Sequence, residues 1–265
     1  MDEDGKYRLT IDKRHVKIGV MIALITIGAA AAYMGFGWKS GSAEASELSK
    51  AVPATLDEVY PLFMCPCCGK PLDPKNICCD LAKERIDYIS TLRDSGISNE
   101  EIVLTTAKKY GVNTLVNDSM KEAVRKELSR RAPNDRPKIL VTPAVYDFGD
   151  VSISKGKVST TMTVKNNGKT DLVIENIETS CMCTTAVLIN NGAESPVYSM
   201  NMNDGNHPTG WKGTIPPGEE AALRVSYDPT MHSDQRGPLT RTITIYSNDP
   251  VDPQKEARID ANQVD

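Results

Sequence analysis

Histidine is scarce in this chain, and what there is stands apart from most of its cysteines. Only His15, His207 and His232 occur among 265 residues. There is no Cys-x-x-Cys-His sequence, so the chain carries no covalent c-type haem of its own. An excess of positive charge is also missing. A net charge of -4 and a pI near 5.5 give no electrostatic footprint for nucleic acid. No phosphate-binding glycine loop, Ser-His-Asp arrangement or paired-carboxylate pattern stands out, which leaves hydrolase and kinase readings without support.

What the chain does have is sulfur. Of its seven cysteines, five fall in the stretch Cys65-Pro66-Cys67-Cys68 and the adjacent pair Cys78-Cys79. The number is odd, so at least one cysteine is free, bound to metal or paired with another molecule. With 40% apolar residues the chain has enough to bury a core in one or two domains.

Before the cluster, Lys13, Arg14, His15 and Lys17 precede an uncharged run from Ile18 to Trp38. About 21 apolar or small residues is a bilayer-spanning length for a helix. The basic flank predicts a cytoplasmic N-terminus, with the rest of the chain outside as a single-pass membrane protein, periplasmic or at the cell surface. Cleavage at Ala43-Glu44-Ala45 is the competing outcome, and it exports the same body. The division that follows is a tail over 1–17, an anchor over 18–38 and a flexible small-residue linker over 39–53. After these come a helical cysteine-rich domain over 54–132, a second linker over 133–138 and a β-domain over 139–265.

Thr55 is placed to cap a short helix closed at Pro61, after which prolines and glycine make the cluster a turn. From Asp80 the periodicity is helical, with Leu81, Arg85, Tyr88, Ile89 and Leu92 on one face and Gly96 as the stop. Ser98 and Glu101 read as a capping box for a second helix that ends at Gly111. A third, strongly charged helix spans about Ser119 to Arg131 and reads as a solvated lead into the linker. Beyond Pro133 the period becomes two. Val158, Thr160, Met162 and Val164 alternate with polar residues, as do Ala221, Leu223, Val225 and Tyr227. Short strands with turns at Asn167-Gly168 and Pro217-Gly218 predict an antiparallel β-sandwich of Ig size, interrupted by an inserted loop from Asn190 to Gly213. The fold class is α + β multidomain: anchor, three-helix Cys-rich domain and Ig-like sandwich.

Cys65 and Cys68 form a Cys-x-x-Cys turn, a geometry used by two chemistries. In thiol–disulfide exchange Cys65 is the candidate nucleophile and Cys68 the resolving cysteine. In metal binding Cys65 and Cys68 join Cys78 and Cys79 in a thiolate site for zinc or copper. The third outcome is a set of stapling disulfides in an exported domain. In the β-domain Cys181 and Cys183 face one side if extended. With Met200, Met202 and His207 they make up a soft ligand set suited to copper. The bland alternative has the methionines packing the loop, with the two cysteines as a disulfide or as thiols.

Cys65-Pro66-Cys67-Cys68, the following helix, Gly96-Ile97-Ser98-Asn99-Glu100-Glu101-Ile102 and Tyr110-Gly111 resemble the thiol-bearing domain of the CcmH/NrfF cytochrome c maturation family. That resemblance implies an extracytoplasmic dithiol that reduces or holds apocytochrome c cysteines, or those of another metalloprotein client. Phe63-Met64 stands where that family has Leu-Arg, and Cys67, Cys78 and Cys79 are additional. Tyr146-Asp147-Phe148-Gly149-Asp150-Val151, Thr179-Ser180-Cys181-Met182-Cys183-Thr184-Thr185 and Ile215-Pro216-Pro217-Gly218-Glu219 resemble a bacterial domain of unknown function related to Hydin-type Ig-like domains. This second resemblance implies a β-sandwich and no particular activity.

Overall fold

Val251, on the hairpin between the last two strands, is buried in the core of the helical domain rather than in that of the sandwich. The computed structural model of the chain describes residues 47–65, 68–202 and 205–265. The tail, the anchor, most of the first linker and Cys67 lie outside the described residues. Among the described residues no helix is long and apolar enough to cross a membrane. Residues 45–265 form one compact unit, so the helical and β parts are joined by packing as well as by the chain.

The helical part contains α1 (Glu47–Ala51), α2 (Asp80–Asp94), α3 (Asn99–Tyr110) and α4 (Asp118–Arg131). Helix α1 corrects the expectation of a flexible linker at its C-terminal end. Leu48 is buried against the helical core, and Glu47 pairs with Lys126 of α4 at 2.7 Å. A small-residue stretch thus gains order by burying one large apolar side chain. The short helix expected from Thr55 divides into two 3-10 turns, Leu56–Glu58 and Tyr60–Leu62. The Thr55 hydroxyl bonds Glu58 Oε2 at 2.7 Å instead of capping a backbone N–H.

Helix α2 is rotated from the predicted face. Ala82, Ile86 and Ile89 are buried, Arg85, Tyr88 and Leu92 flank them, and Leu81 is exposed. Ser98 caps α3 through Glu101 N at 3.3 Å, while the Glu101 carboxylate is drawn away to Arg131. Helix α4 is part of the core rather than a solvated lead, because Met120, Val124 and Leu128 form a buried stripe. Its buried Glu127 is held by Arg130 and Arg131, both at 2.6 Å.

The β part comprises β1 (Ile139–Thr142), β2 (Val145–Ser152), β3 (Val158–Asn166), β4 (Leu172–Thr179) and β5 (Thr184–Asn190). These are followed by β6 (Ala193–Glu194), β7 (Gly213–Ile215), β8 (Glu220–Tyr227), β9 (Gly237–Ser247) and β10 (Gln254–Val264). Among the described residues they form two five-stranded sheets, ordered β1-β3-β8-β5-β6 and β2-β10-β9-β4-β7. The alternation read for β3 and β8 is present, with Met162, Val164, Leu223 and Val225 buried between the sheets. Burying each such side chain contributes roughly 1.5–3 kcal/mol.

One pairing departs from the antiparallel expectation. The chain leaves β1 through the cis Thr142–Pro143 bond and crosses to the other sheet, where β2 runs parallel to β10. The long loop after β6 is anchored as well. Tyr198 is fully buried and bridges Ala186 of β5 through two backbone hydrogen bonds of 2.9 Å.

Candidate functional site

The first sulfur cluster is built by a hairpin and a helix start. Cys65 N donates to Lys70 O at 2.7 Å and Gly69 N donates to Cys65 O at 3.0 Å. Gly69 has φ +67°, a left-handed conformation open to glycine, and this lets the chain fold back after Cys68. On either side of the turn Leu72 N bonds Phe63 O, and Met64 N bonds Thr114 O. The base of the turn is thereby fixed to the helical core.

Cys79 is the N-cap of α2, where its Sγ accepts the Ala82 N–H at 3.4 Å. Cys78, one residue earlier, turns toward the hairpin. Its Sγ lies 3.1 Å from Cys65 Sγ and 3.6 Å from Cys68 Sγ, while Cys65 and Cys79 are 3.6 Å apart. Of the predicted thiolate set, the structure brings Cys65, Cys68 and Cys78 within 4.8 Å of one another, and Cys79 joins them at Cys65. Neighbours in sequence, Cys78 and Cys79 both reach Cys65 because one precedes the helix and the other caps it.

Burial grades across the cluster. Cys65 is 3% exposed, whereas Cys68 and Cys78 are open to solvent and line a cleft with Lys70, Pro71 and Asn76. Contact with neighbouring sulfurs, first that of Cys65, pushes the Cys78 thiol up to about 12. In such a group a proton bridges sulfurs, and a cation at the centre reverses the preference.

Arg85 was not among the predicted site residues. Its Nη1 donates to Met64 O at 2.6 Å, and its guanidinium stands 5.1 Å from the centre of the Tyr110 ring. Helix α2 thus places a cation on the carbonyl immediately before Cys65. Its place on the helical face expected to pack toward the domain was the available signal.

The second sulfur pair sits where β4 leaves one sheet and β5 enters the other. Cys181 and Cys183 are joined as a disulfide, one of the expected outcomes, in a turn closed by Thr184 N to Cys181 O at 3.1 Å. The turn forms because two carbonyls, those of Cys181 and Thr184, accept the buried Thr179 hydroxyl, each at 2.9 Å.

The predicted partner of this pair is elsewhere. His207 Nε2 faces Asn176 Oδ1 at 3.0 Å, its ring lies against Tyr198, and its Nδ1 is buried with no hydrogen-bond partner among the described residues. Met200 and Met202 are exposed, so they do not pack the loop. His232 takes the place expected of His207: its Nε2 is 3.2 Å from Cys181 Sγ. Arg241 Nε donates to Cys183 Sγ, also at 3.2 Å. Sequence spacing carried no signal for either contact, since both cross between distant elements.

Residues 139–196 match the family described as Protein of unknown function (DUF1573), a span that runs from β1 past β6 and includes Cys181 and Cys183. No curated protein matches the chain. Among solved structures the chain is similar to a protein of unknown function from Porphyromonas gingivalis W83, at 18% identity and TM-score 0.38 over 50% of each chain. It is also similar to a PapD-like domain of human CEP192, at 9% identity and TM-score 0.33 over 51% of this chain and 90% of that one. The secreted serine protease VesC from Vibrio cholerae is similar at 17% identity and TM-score 0.32, over 49% of this chain and 24% of the protease. This chain therefore spans half the length of the Porphyromonas protein and about a quarter of the protease.

Proposed function

We propose that Cys65, Cys68, Cys78 and Cys79 bind a soft metal ion, zinc or Cu(I), and that the protein carries this ion in metalloprotein assembly. One observation carries the reading: sulfurs from two separate segments converge with contacts of 3.1, 3.6 and 3.6 Å. A tetrahedral thiolate site with metal–sulfur bonds near 2.3 Å has sulfur–sulfur edges of about 3.8 Å. Cys65, Cys68 and Cys78, whose sulfurs all lie within 4.8 Å of one another, supply three such ligands, and Cys79, 3.6 Å from Cys65, supplies the fourth. Soft thiolates favour both candidate ions. The buried Cys65 anchors the site, while Cys68 and Cys78 at the cleft leave one side open for transfer to a partner. The apolar run over 18–38 extends the proposal to a single-pass anchor with both domains on the extracytoplasmic side.

Thiol–disulfide exchange of the kind implied by the CcmH/NrfF resemblance is the second reading. It is supported by the 3.1 Å approach of Cys65 and Cys78 and by the helix start at Cys79. Against it stands the burial of Cys65, which keeps a bulky client from the candidate nucleophile. The test is metal analysis and thiol counting on the full chain, purified anaerobically in detergent. The metal reading expects one zinc or copper per chain, with these cysteines shielded from alkylation until a chelator is added. Rapid alkylation of the four with no metal bound would remove it. A mixed disulfide trapped at Cys65 in Cys68→Ser would favour exchange instead.

A further inference from the structure

The β-domain holds a second sulfur centre whose surroundings differ in kind from the first. Its two sulfurs are unequal. Cys183 is 1% exposed and packs in the sandwich core, while Cys181 is only partly buried and lies at the surface end of the pair. Each is met by a different polar group: His232 Nε2 at Cys181 Sγ and Arg241 Nε–H at Cys183 Sγ, both at 3.2 Å. A guanidinium is a poor neighbour for a metal ligand because it repels the cation. It is a good neighbour for a buried thiolate.

The frame around the pair is fixed. Asp228 N donates to Cys183 O at 2.8 Å, and Cys183 N donates to Cys181 Sγ at 3.2 Å. The 3-10 turn bearing His232 is held by the buried Gln263, whose Nε2 donates to His232 O at 2.8 Å and to Gln235 O at 3.0 Å. Tyr227 in turn donates its hydroxyl to Gln263 Oε1. The adjoining surface is apolar and deformable: Met182, between the two cysteines, is 41% exposed, and Met231, beside His232, is 51% exposed. Exposed thioethers adapt to irregular apolar partners.

We propose that Cys181–Cys183 is a thiol–disulfide exchange centre whose substrate is a cysteine pair in an extended or unfolded polypeptide. A thiolate of the client attacks Cys181 Sγ, the accessible sulfur. A client–Cys181 disulfide forms, the Cys181–Cys183 bond breaks, and its electron pair stays on Cys183 Sγ, where Arg241 Nε–H receives the charge. The second client thiol then attacks the first client sulfur, and Cys181 leaves with the electron pair. The proton of that second thiol passes through His232 Nε2 to Cys181 Sγ. The client is oxidised by two electrons to a disulfide, and the pair is reduced to the Cys181 thiol and the Cys183 thiolate. The reverse sequence reduces a client disulfide with the same atoms. This centre is independent of the metal reading of the helical cluster, because no sulfur is shared between them.

The test uses the full chain in detergent with two synthetic peptides, one carrying a reduced cysteine pair and the other its disulfide, under anaerobic conditions. The wild-type protein is expected to oxidise one reduced peptide per chain, and peptide mapping should place the new thiols at Cys181 and Cys183. Cys183→Ser with the disulfide peptide is expected to accumulate a mixed disulfide at Cys181, since the resolving sulfur is gone. Arg241→Gln, with its melting curve as a control for folding, is expected to slow exchange about tenfold through loss of a charge-assisted bond. His232→Gln is expected to slow the resolving step while leaving mixed-disulfide formation intact. The proposal is overturned if Cys181–Cys183 stays oxidised in the presence of the peptide dithiol and Cys183→Ser traps nothing. It is also overturned if the reduced pair holds a metal ion through desalting. Mapping by peptide keeps these outcomes separate from any reaction of Cys65, Cys68, Cys78 or Cys79.

Discussion

Cys65 and Cys78 stand with their sulfurs 3.1 Å apart across a sequence separation of 13 residues, one held in a buried hairpin and the other at an exposed helix approach. An ion bound between them ties the hairpin to α2, so binding is linked to folding of the helical domain. At a free-ion concentration a hundred times the Kd, this linkage is worth about 2.7 kcal/mol of stability. Thermal melting is expected to shift upward with zinc or Cu(I) and back with a chelator, and Cys65→Ser is expected to abolish the shift. An unmoved wild-type melting curve in all three conditions would exclude the site.

Arg85 reaches the carbonyl immediately before Cys65, and through it the guanidinium positions the turn. Removing such a supporting group lowers metal affinity about 10–100-fold. Arg85→Met is expected to weaken binding in a competition titration against a chromogenic chelator, with the bound stoichiometry unchanged and Arg85→Lys intermediate. Equal affinity in Arg85→Met and wild type would show that the guanidinium does not support the site.

Glu127 is buried, and its carboxyl is lowered to about 2, first by the hydrogen bonds from Arg130 and then by the one from Arg131. Its ordinary value is 4.5, so the folded state binds this proton less readily than the unfolded state. The stability it contributes is fully present above about pH 4.5 and is lost as pH falls toward 2. Glu127→Gln is expected to flatten that part of the stability–pH profile. It should also destabilise the protein by about 1–2 kcal/mol at neutral pH, the low end for a charge-assisted pair because Arg130 is largely exposed. Unfolding in urea at several pH values measures both effects.

Local signals in the sequence carried most of the fold. The period of two in β3 and β8, the stop at Gly96 and the Ser98 cap are short-range features, and each appears where its chemistry requires. The rotation of α2 was not legible. Leu81 and Ala82 are both compatible with burial, and the choice fell to Ala82 because Cys79 caps the helix toward the cluster. The grouping of Cys78 and Cys79 with Cys65 and Cys68 was among the expected outcomes, but which sulfurs touch was not legible, since it depends on where a hairpin meets a helix start. In the β-domain the pairing of Cys181 with His232 instead of His207 arises from strand order. β5 lies beside β8, and the turn after β8 carries His232 to the end of β4. His207 lies on the loop that returns to Asn176, and no spacing in the sequence separates the two histidines.

The segment before the sandwich is pinned by a buried ion pair, and this makes a strong test of how the two parts are joined. Arg136 Nη1 lies 3.1 Å from Asp249 Oδ1, with 11% and 4% of the side chains exposed. Asp249 also accepts Ile139 N at 3.0 Å and Val251 N at 2.9 Å, which links β1 to the hairpin that enters the helical core. Gly168 makes room for this segment: a Cβ there would stand 2.2 Å from Arg136 O and 2.6 Å from Lys138 N, both backbone atoms. Gly168→Ala therefore has to push the segment outward and break the pair. Asp249→Ala leaves the guanidinium buried and unpaired, which costs about 3–5 kcal/mol. Because both changes disrupt the same contact, the double variant is expected to lose less stability than the sum of the single losses. Urea unfolding of the four proteins in this cycle measures the coupling, and simple additivity would show that Gly168 and Asp249 act on separate parts of the fold.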